Sequence, residues 1–408
     1  MGRWLKRPDS LRFNLPELGG ALGDLGTLVP LMLGLIMVNG LNATTVLAGA
    51  GLFYIASALY FRIPMPVQPL KVVAAVAISM GLSGGVISTS GLIMGAILLL
   101  FSLTNVITVV ARLFPRPVIK GIQLSIGLVL VRKGIELALS NDLFIGGSHS
   151  PGLDRFSFGI PLAAASMAVF ILSRFLLPQM IRFPPSLALL TFGLAAGLAF
   201  GPVIGPTVPN PTLPTLQVPS WSDFWLAFTV LVIPQLPLTL GNAVVSTSDT
   251  SQVYFGIRAQ RVTPKTLAAS MGIANIAAGL FGAMPMCHGS GGLTAHYKMG
   301  ARTGGAGLMI GGMLLLLGMV FGTNALSILS LIPLSVLGVL LAIVGVYHAS
   351  LARGLSGKRQ YSTAVAVAAV AVISGNLALG FGVGIVLHQL LRFLVKTPVP
   401  TVVDVTKP

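Results

Sequence analysis

Apolar runs recur from one end of the chain to the other, broken by short clusters of charge, proline and glycine. Residues 44–60, 86–110, 158–177, 187–200 and 308–321 are the clearest runs, and several match the ~20 residues a helix needs to cross a bilayer core. Cutting at the polar joints predicts about fourteen helical spans. They lie near 19–38, 43–61, 66–80, 86–110, 118–139, 158–177, 185–202, 222–245, 264–282, 289–299, 304–322, 326–346, 361–375 and 377–395. The pattern is that of an all-α, polytopic membrane protein.

Composition sharpens this. Of the 408 residues 54% are apolar and only 8% charged, whereas a soluble domain carries roughly a quarter charged residues. An excess of 25 Lys and Arg over nine Asp and Glu would point to nucleic acid in a soluble protein; in a membrane protein it marks the cytoplasmic loops. With both termini in the cytoplasm, every basic residue except Lys71, Arg132, Lys133 and Arg155 falls on that side, Arg182 and the C-terminal tail included. The proline-rich loop 201–220, which has no basic residue, falls outside. Glu136, four residues after Arg132, offers an internal ion-pair partner.

The basic N-terminus runs into Pro16, Glu17 and Asp24 and not into a short apolar stretch with a cleavage site, so it does not read as a signal peptide. The expected location is the cell (inner or plasma) membrane. A lone cysteine, Cys287, excludes an intramolecular disulfide and a cysteine-based cluster. No cofactor, metal or nucleic-acid partner is expected.

Sliding the chain over itself aligns Pro16-Glu-Leu-Gly-Gly-Ala-Leu-Gly-Asp24 with Pro234-Gln-Leu-Pro-Leu-Thr-Leu-Gly-Asn242. At nearly the same offset Met65-Pro66 falls on Met284-Pro285. An odd number of spans separates the copies, so the halves have opposite orientation: an inverted repeat, the usual build of a secondary transporter.

The third element of each half is short and opens on turn-rich sequence: Pro64-Met-Pro-Val-Gln-Pro-Leu-Lys71, and Ala283-Met-Pro-Met-Cys-His-Gly-Ser-Gly-Gly-Leu293. Proline and glycine break a helix there, and broken backbone at membrane depth survives only beside protein or a water-filled cavity. Two half-helices with facing N-termini are expected, able to hold an anion on free N–H groups and dipole ends. Lys71 falls in the first turn of its half-helix if Gln68 caps and Pro69 takes the first position, and a cation there fits best beside a negative ligand or carboxylate.

Asp24, within Gly23-Asp-Leu-Gly-Thr27, is costly in a span. It can pair with Lys71, carry a coupling proton or cap a break. Its repeat mate Asn242 and the neutral Gln235, in place of Glu17, offer hydrogen-bonding groups without charge. Gln68 and Gln235 can each donate to an oxyanion. His288, beside Gly289-Ser290-Gly291-Gly292, can donate or titrate, or serve as a structural hydrogen-bonder. Asp249 is expected to cap the eighth span or gate it. His296, His348 and His388 carry no usable pattern.

These segments, together with Thr27 and Pro234-Gln-Leu-Pro237, resemble the molybdate transporter family of the sulphate permease (SulP) superfamily. The likeness runs through the chain in order. It implies the uracil permease/SulP-like fold of seven plus seven inverted helices, with two broken half-helices and the substrate between the third and tenth spans. It also implies a cytoplasmic arm (1–18), a core domain (19–110 and 221–323), a gate domain (111–220 and 324–397) and a tail (398–408) too short for the regulatory domain of typical sulphate permeases. The site candidates carried over are Thr27, Gln68, Lys71, Gln235, Asn242, His288, Gly289, Ser290, Gly291 and Gly292, with Asp24 and His288 as coupling candidates. The implied activity is molybdate transport by alternating access, with proton symport as one driving force.

Sulphate, also a tetrahedral dianion, is the nearest alternative substrate. A nucleobase or xanthine permease on the same fold is a further one, but would bring a carboxylate to the eighth span. No nucleophile–base pair, metal cluster or phosphate loop points to an enzyme. A channel is disfavoured by the repeat. Membrane lipid is the expected surrounding, and glycine-rich spans allow tight packing within one chain or in a homodimer.

Overall fold

Proline, glycine and capping side chains cut the apolar sequence where its helices end. The computed structural model describes residues 11–112, 115–144, 153–175, 184–202, 208–212, 214–353, 355 and 357–394. Arg182, the first ten residues of the arm and the tail 398–408 lie outside the described residues. Helix falls on every expected span: α1 Leu15–Met37, α2 Ala43–Phe61, α3 Lys71–Met80, α4 Gly84–Leu103, α5 Arg116–Ala138, α6 Arg155–Phe175, α7 Pro185–Phe200, α8 Trp221–Ala259, α9 Pro264–Leu280, α10 Ser290–Lys298, α11 Gly305–Leu329, α12 Leu334–Ala352, α13 Lys358–Ile373 and α14 Leu377–Leu394. Seven of these (α1, α2, α4, α6, α8, α11 and α12) are by themselves long and apolar enough to cross a membrane.

The ends follow local chemistry. Asn42 Oδ1 accepts from Thr45 N at 3.1 Å to start α2, and Arg62, at φ 60°, ends it. Thr263 and Thr266 form a reciprocal capping box at the start of α9.

The largest departures from the expected bounds are in the fourth, eighth, eleventh and twelfth spans. The fourth span breaks at Asn105, whose φ of 58° turns the chain before a short helix, Val106–Arg112. The eighth continues well beyond 245. It carries π-helical stretches at Ala227–Val232 and Thr239–Ser246 on either side of Pro234 and Pro237, whose missing N–H groups loosen the helical ladder. The twelfth starts only at Leu334, because residues 325–329 continue α11 and Pro333 precedes the new helix.

Packing repeats with a period of seven helices. The pair α4/α9 is matched by α11/α2, α13/α5 by α6/α12, and α13/α14 by α6/α7, while α5/α12 maps onto itself. At this last contact the helices touch backbone to backbone: a Cβ at Gly134 would meet Ala342 N at 2.5 Å, and one at Gly345 would meet Gly127 O at 2.7 Å. The architecture is therefore an inverted repeat folded about α5 and α12. Large apolar side chains such as Leu100, Val109, Leu198, Ile273 and Ile373 stand exposed on the outer surface, as a lipid-facing belt requires and water would disfavour.

Candidate oxyanion site

The two broken elements meet. After Pro64 and Pro66, residues Gln68–Pro69 (β1) run extended and pair antiparallel with Met286–Cys287 (β2), in the register Gln68↔Cys287 and Pro69↔Met286. Leu70 N adds a bond to Pro285 O at 2.9 Å. Asn275 on α9 fixes β2 with both ends of its amide, donating to Met286 O at 2.8 Å and accepting from Met286 N at 2.7 Å. From this short ribbon α3 and α10 start side by side and leave in opposite directions. Lys71 Nζ lies 3.6 Å from the point a Cβ would occupy on Gly289, the residue before α10.

Expectation and structure part over the caps. Gln68 does not cap α3, because β pairing holds it two residues before the helix cap; Leu70 is the cap residue and supplies no side-chain bond. Both half-helices are capped from α8 instead. Gln235 Oε1 accepts from Val72 N at 2.8 Å and Val73 N at 3.3 Å, while its Nε2 donates to Thr239 at 2.9 Å. Asn242 Oδ1 accepts from Ser290 N at 3.3 Å and Ser290 Oγ at 2.6 Å. Gln235 therefore turns its oxygen, not its amide hydrogens, towards the helix start. Gly291 and Gly292 N–H, next in the first turn of α10, meet no protein acceptor among the described residues.

Asp24 is wholly buried beside these helix starts, and Gln68 Nε2 donates to both of its oxygens at 2.7 Å. Thr27 lies by the same carboxylate. A Cβ on Gly292 would meet Asp24 Oδ2 at 2.6 Å and Gln68 Nε2 at 2.7 Å, so only glycine admits this approach. No ion pair joins Asp24 to Lys71 among the described residues; the amide of Gln68 takes that place. Gln68 Oε1 is left buried without a hydrogen-bond partner, facing Gly289. An orphaned buried acceptor is uncommon in folded proteins.

His288 stands behind the site. Its Nδ1 contacts Pro66 O at 2.7 Å and its Nε2 contacts Ser270 Oγ at 3.0 Å. A carbonyl only accepts, so Nδ1 carries the hydrogen and the ring braces one broken element against the other. Phe53 and Phe61 pack on its ring at 4.8 and 5.5 Å between centroids.

His348, which carries no usable pattern in the sequence, is inserted by α12 against α10. Its Nδ1 lies 2.8 Å from Thr294 Oγ1 and its Nε2 3.2 Å from Ser290 Oγ, and it is fully buried. Ser246 Oγ donates to Ser290 at 3.0 Å. No motif could reveal this residue, because its partners lie more than forty positions away on another element.

Asp249 reaches α5, where Lys120 Nζ is 3.1 Å away and Gln123 Nε2 donates to it at 2.8 Å. The anticipated Arg132–Glu136 pair is present at 2.8 Å on the exposed side of α5.

A family profile described as "Molybdate transporter of MFS superfamily" matches residues 16–130 and 227–347, which hold α1 to most of α5 and most of α8 to α12. Molybdate transporter 2 of Arabidopsis thaliana is 34% identical over 420 residues, covering 95% of this chain and 90% of that one. Molybdate transporter 1 of Chlamydomonas reinhardtii is 30% identical, covering 91% of this chain and 90% of its own. Among solved structures, the transmembrane domain of a cyanobacterium bicarbonate transporter, BicA, superposes with a TM-score of 0.57 at 19% identity, over 93% of this chain and all of that one. SLC26A9 gives a TM-score of 0.56 at 16% identity, over 94% of this chain and 66% of its own. The fold is the one shared with these two structures.

Proposed function

We propose a transport cycle from a plain premise: this chain belongs to the molybdate transporter family, whose members are membrane carriers and not enzymes. Its substrate is molybdate, held between the starts of α3 and α10, and sulphate, a smaller tetrahedral dianion, is the alternative substrate. The observation that carries this reading is that two half-helix N-termini and Lys71 converge where α8 supplies only neutral amide oxygens. Oxygens of a tetrahedral anion can take the places of Gln235 Oε1 and Asn242 Oδ1 and reach the N–H groups of Gly291 and Gly292. Each helix end contributes roughly half a positive charge and Lys71 a whole one, which together balance a dianion.

Asp24 is the coupling residue in this scheme. A dianion entering a negative-inside cell works against about 2.3 kcal/mol per charge per 100 mV. A proton delivered to Asp24 removes the one negative group beside the anion and enters with it. Residues 19–110 and 221–323 act as the core and 111–220 and 324–397 as the gate, with His348 and the Lys120–Asp249 pair as contacts between them. Both termini face the cytoplasm of a cell membrane in this scheme, an orientation supported by the distribution of basic residues among the loops.

The coupling is tested with Asp24→Asn in proteoliposomes. Molybdate counterflow at equal pH is retained and the stimulation by an inward proton gradient is lost. Stimulation that persists in the variant contradicts the assignment of the proton to Asp24.

A further inference from the structure

We propose that the groove between α2 and α9 is a binding site for the acyl chain of an anionic phospholipid. α2 packs on α11 and α9 on α4, and where α2 and α9 face each other their side chains are small: Ala48, Gly49 and Ala56 oppose Ser270, Ala274 and Ala277. The gap they leave is a cavity of about 690 Å³ open to the outer surface, rimmed by the exposed Leu52, Ile273 and Phe281. It runs along α2 from Thr45 to Tyr60, a rise of about 22 Å at the helical repeat and longer than one leaflet of a ~30 Å hydrocarbon core. Its shape is that of an extended chain.

Charge selects the lipid and the leaflet. At the Tyr60 end, Arg261 Nη1 donates to Tyr60 O at 2.9 Å and Arg62 Nε donates to Leu59 O at 3.0 Å, so two guanidinium groups sit at that mouth. The opposite end, at Thr45 and Pro214, adjoins the loop without basic residues. A phosphate with net negative charge is held by the arginine mouth, where guanidinium groups suit phosphate geometry, and its chain lies down the groove. The groove also backs onto the transport site. Phe53, Ser270 and Met286 line it; the first two contact His288 and the third belongs to β2. A bound chain therefore covers the brace behind the α10 start. This inference rests on the membrane location alone and not on the identity of the transported anion.

The test is native mass spectrometry of the full chain, purified from a membrane containing phosphatidylglycerol and phosphatidylethanolamine and washed extensively in detergent. The wild type retains a single phospholipid adduct enriched in phosphatidylglycerol. Ala277→Phe, which fills the open side of the groove, loses the adduct with unchanged circular dichroism, and Arg261→Ala keeps an adduct without the headgroup preference. Ala274→Phe serves as the second filling variant if the first is poorly folded. Equal retention by the filled variants, or phosphatidylethanolamine held as strongly as phosphatidylglycerol by the wild type, overturns the proposal. So does a dimer that the filling variants dissociate, which would assign the groove to a second copy of the chain.

Discussion

Single residues at the site act through what they deny as much as what they supply. Asn242 accepts from Ser290 with a neutral oxygen, and a carboxylate there would satisfy the same N–H while repelling an anion. Asn242→Asp is therefore expected to leave folding intact and to weaken molybdate binding at least about tenfold, a loss of ~1.4 kcal/mol, as measured by isothermal titration. Unchanged affinity would remove α8 from the binding site. Lys71, Gln68, Asp24, Gln235 and Asn242 were all legible as polar residues placed against a hydrophobic background. Their pairings were not, because a sequence shows which groups need partners and not which partner arrives first. Gln68, expected at a helix cap, is instead the donor to Asp24; of the roles open to His288, the structural one matches its contacts with Pro66 and Ser270.

Elements are most legible in the sequence where their chemistry is local. Proline and glycine announced both broken spans, and helix lies on every expected segment. The two-residue pairing of β1 with β2 carried no signal, since a ribbon so short has no periodicity to detect. The π-helical turns of α8 were hidden as well, yet α8 is the element that caps both half-helices. At the same scale, the Lys120–Asp249 contact joins α5 to α8 with the lysine buried and the aspartate partly exposed. Removing one partner leaves the other charge uncompensated, though solvent at Asp249 reduces the penalty. Lys120→Met is expected to lower the thermal midpoint in detergent by an amount matching about 1–3 kcal/mol. The exchanged pair Lys120→Asp with Asp249→Lys should recover most of it. A midpoint unaffected by the single change would show that the contact does not help to hold the two elements together.

At the scale of the whole molecule, the repeat seen in two short sequence matches is repeated in the packing of α2, α4, α9 and α11 and in the self-paired α5 and α12. That symmetry sets two oppositely directed half-helices at one point. A single chain can thus present a positively polarised site, which the proposed alternating-access cycle would open to each side in turn. Binding of molybdate at this junction for transport is tested most directly by uptake of labelled molybdate into proteoliposomes containing the purified chain, with excess sulphate as competitor and Lys71→Met in parallel. Saturable uptake that excess sulphate reduces only weakly and that the substitution abolishes is the expected result. Uptake undiminished in Lys71→Met, or no molybdate flux by the wild-type protein, would contradict it.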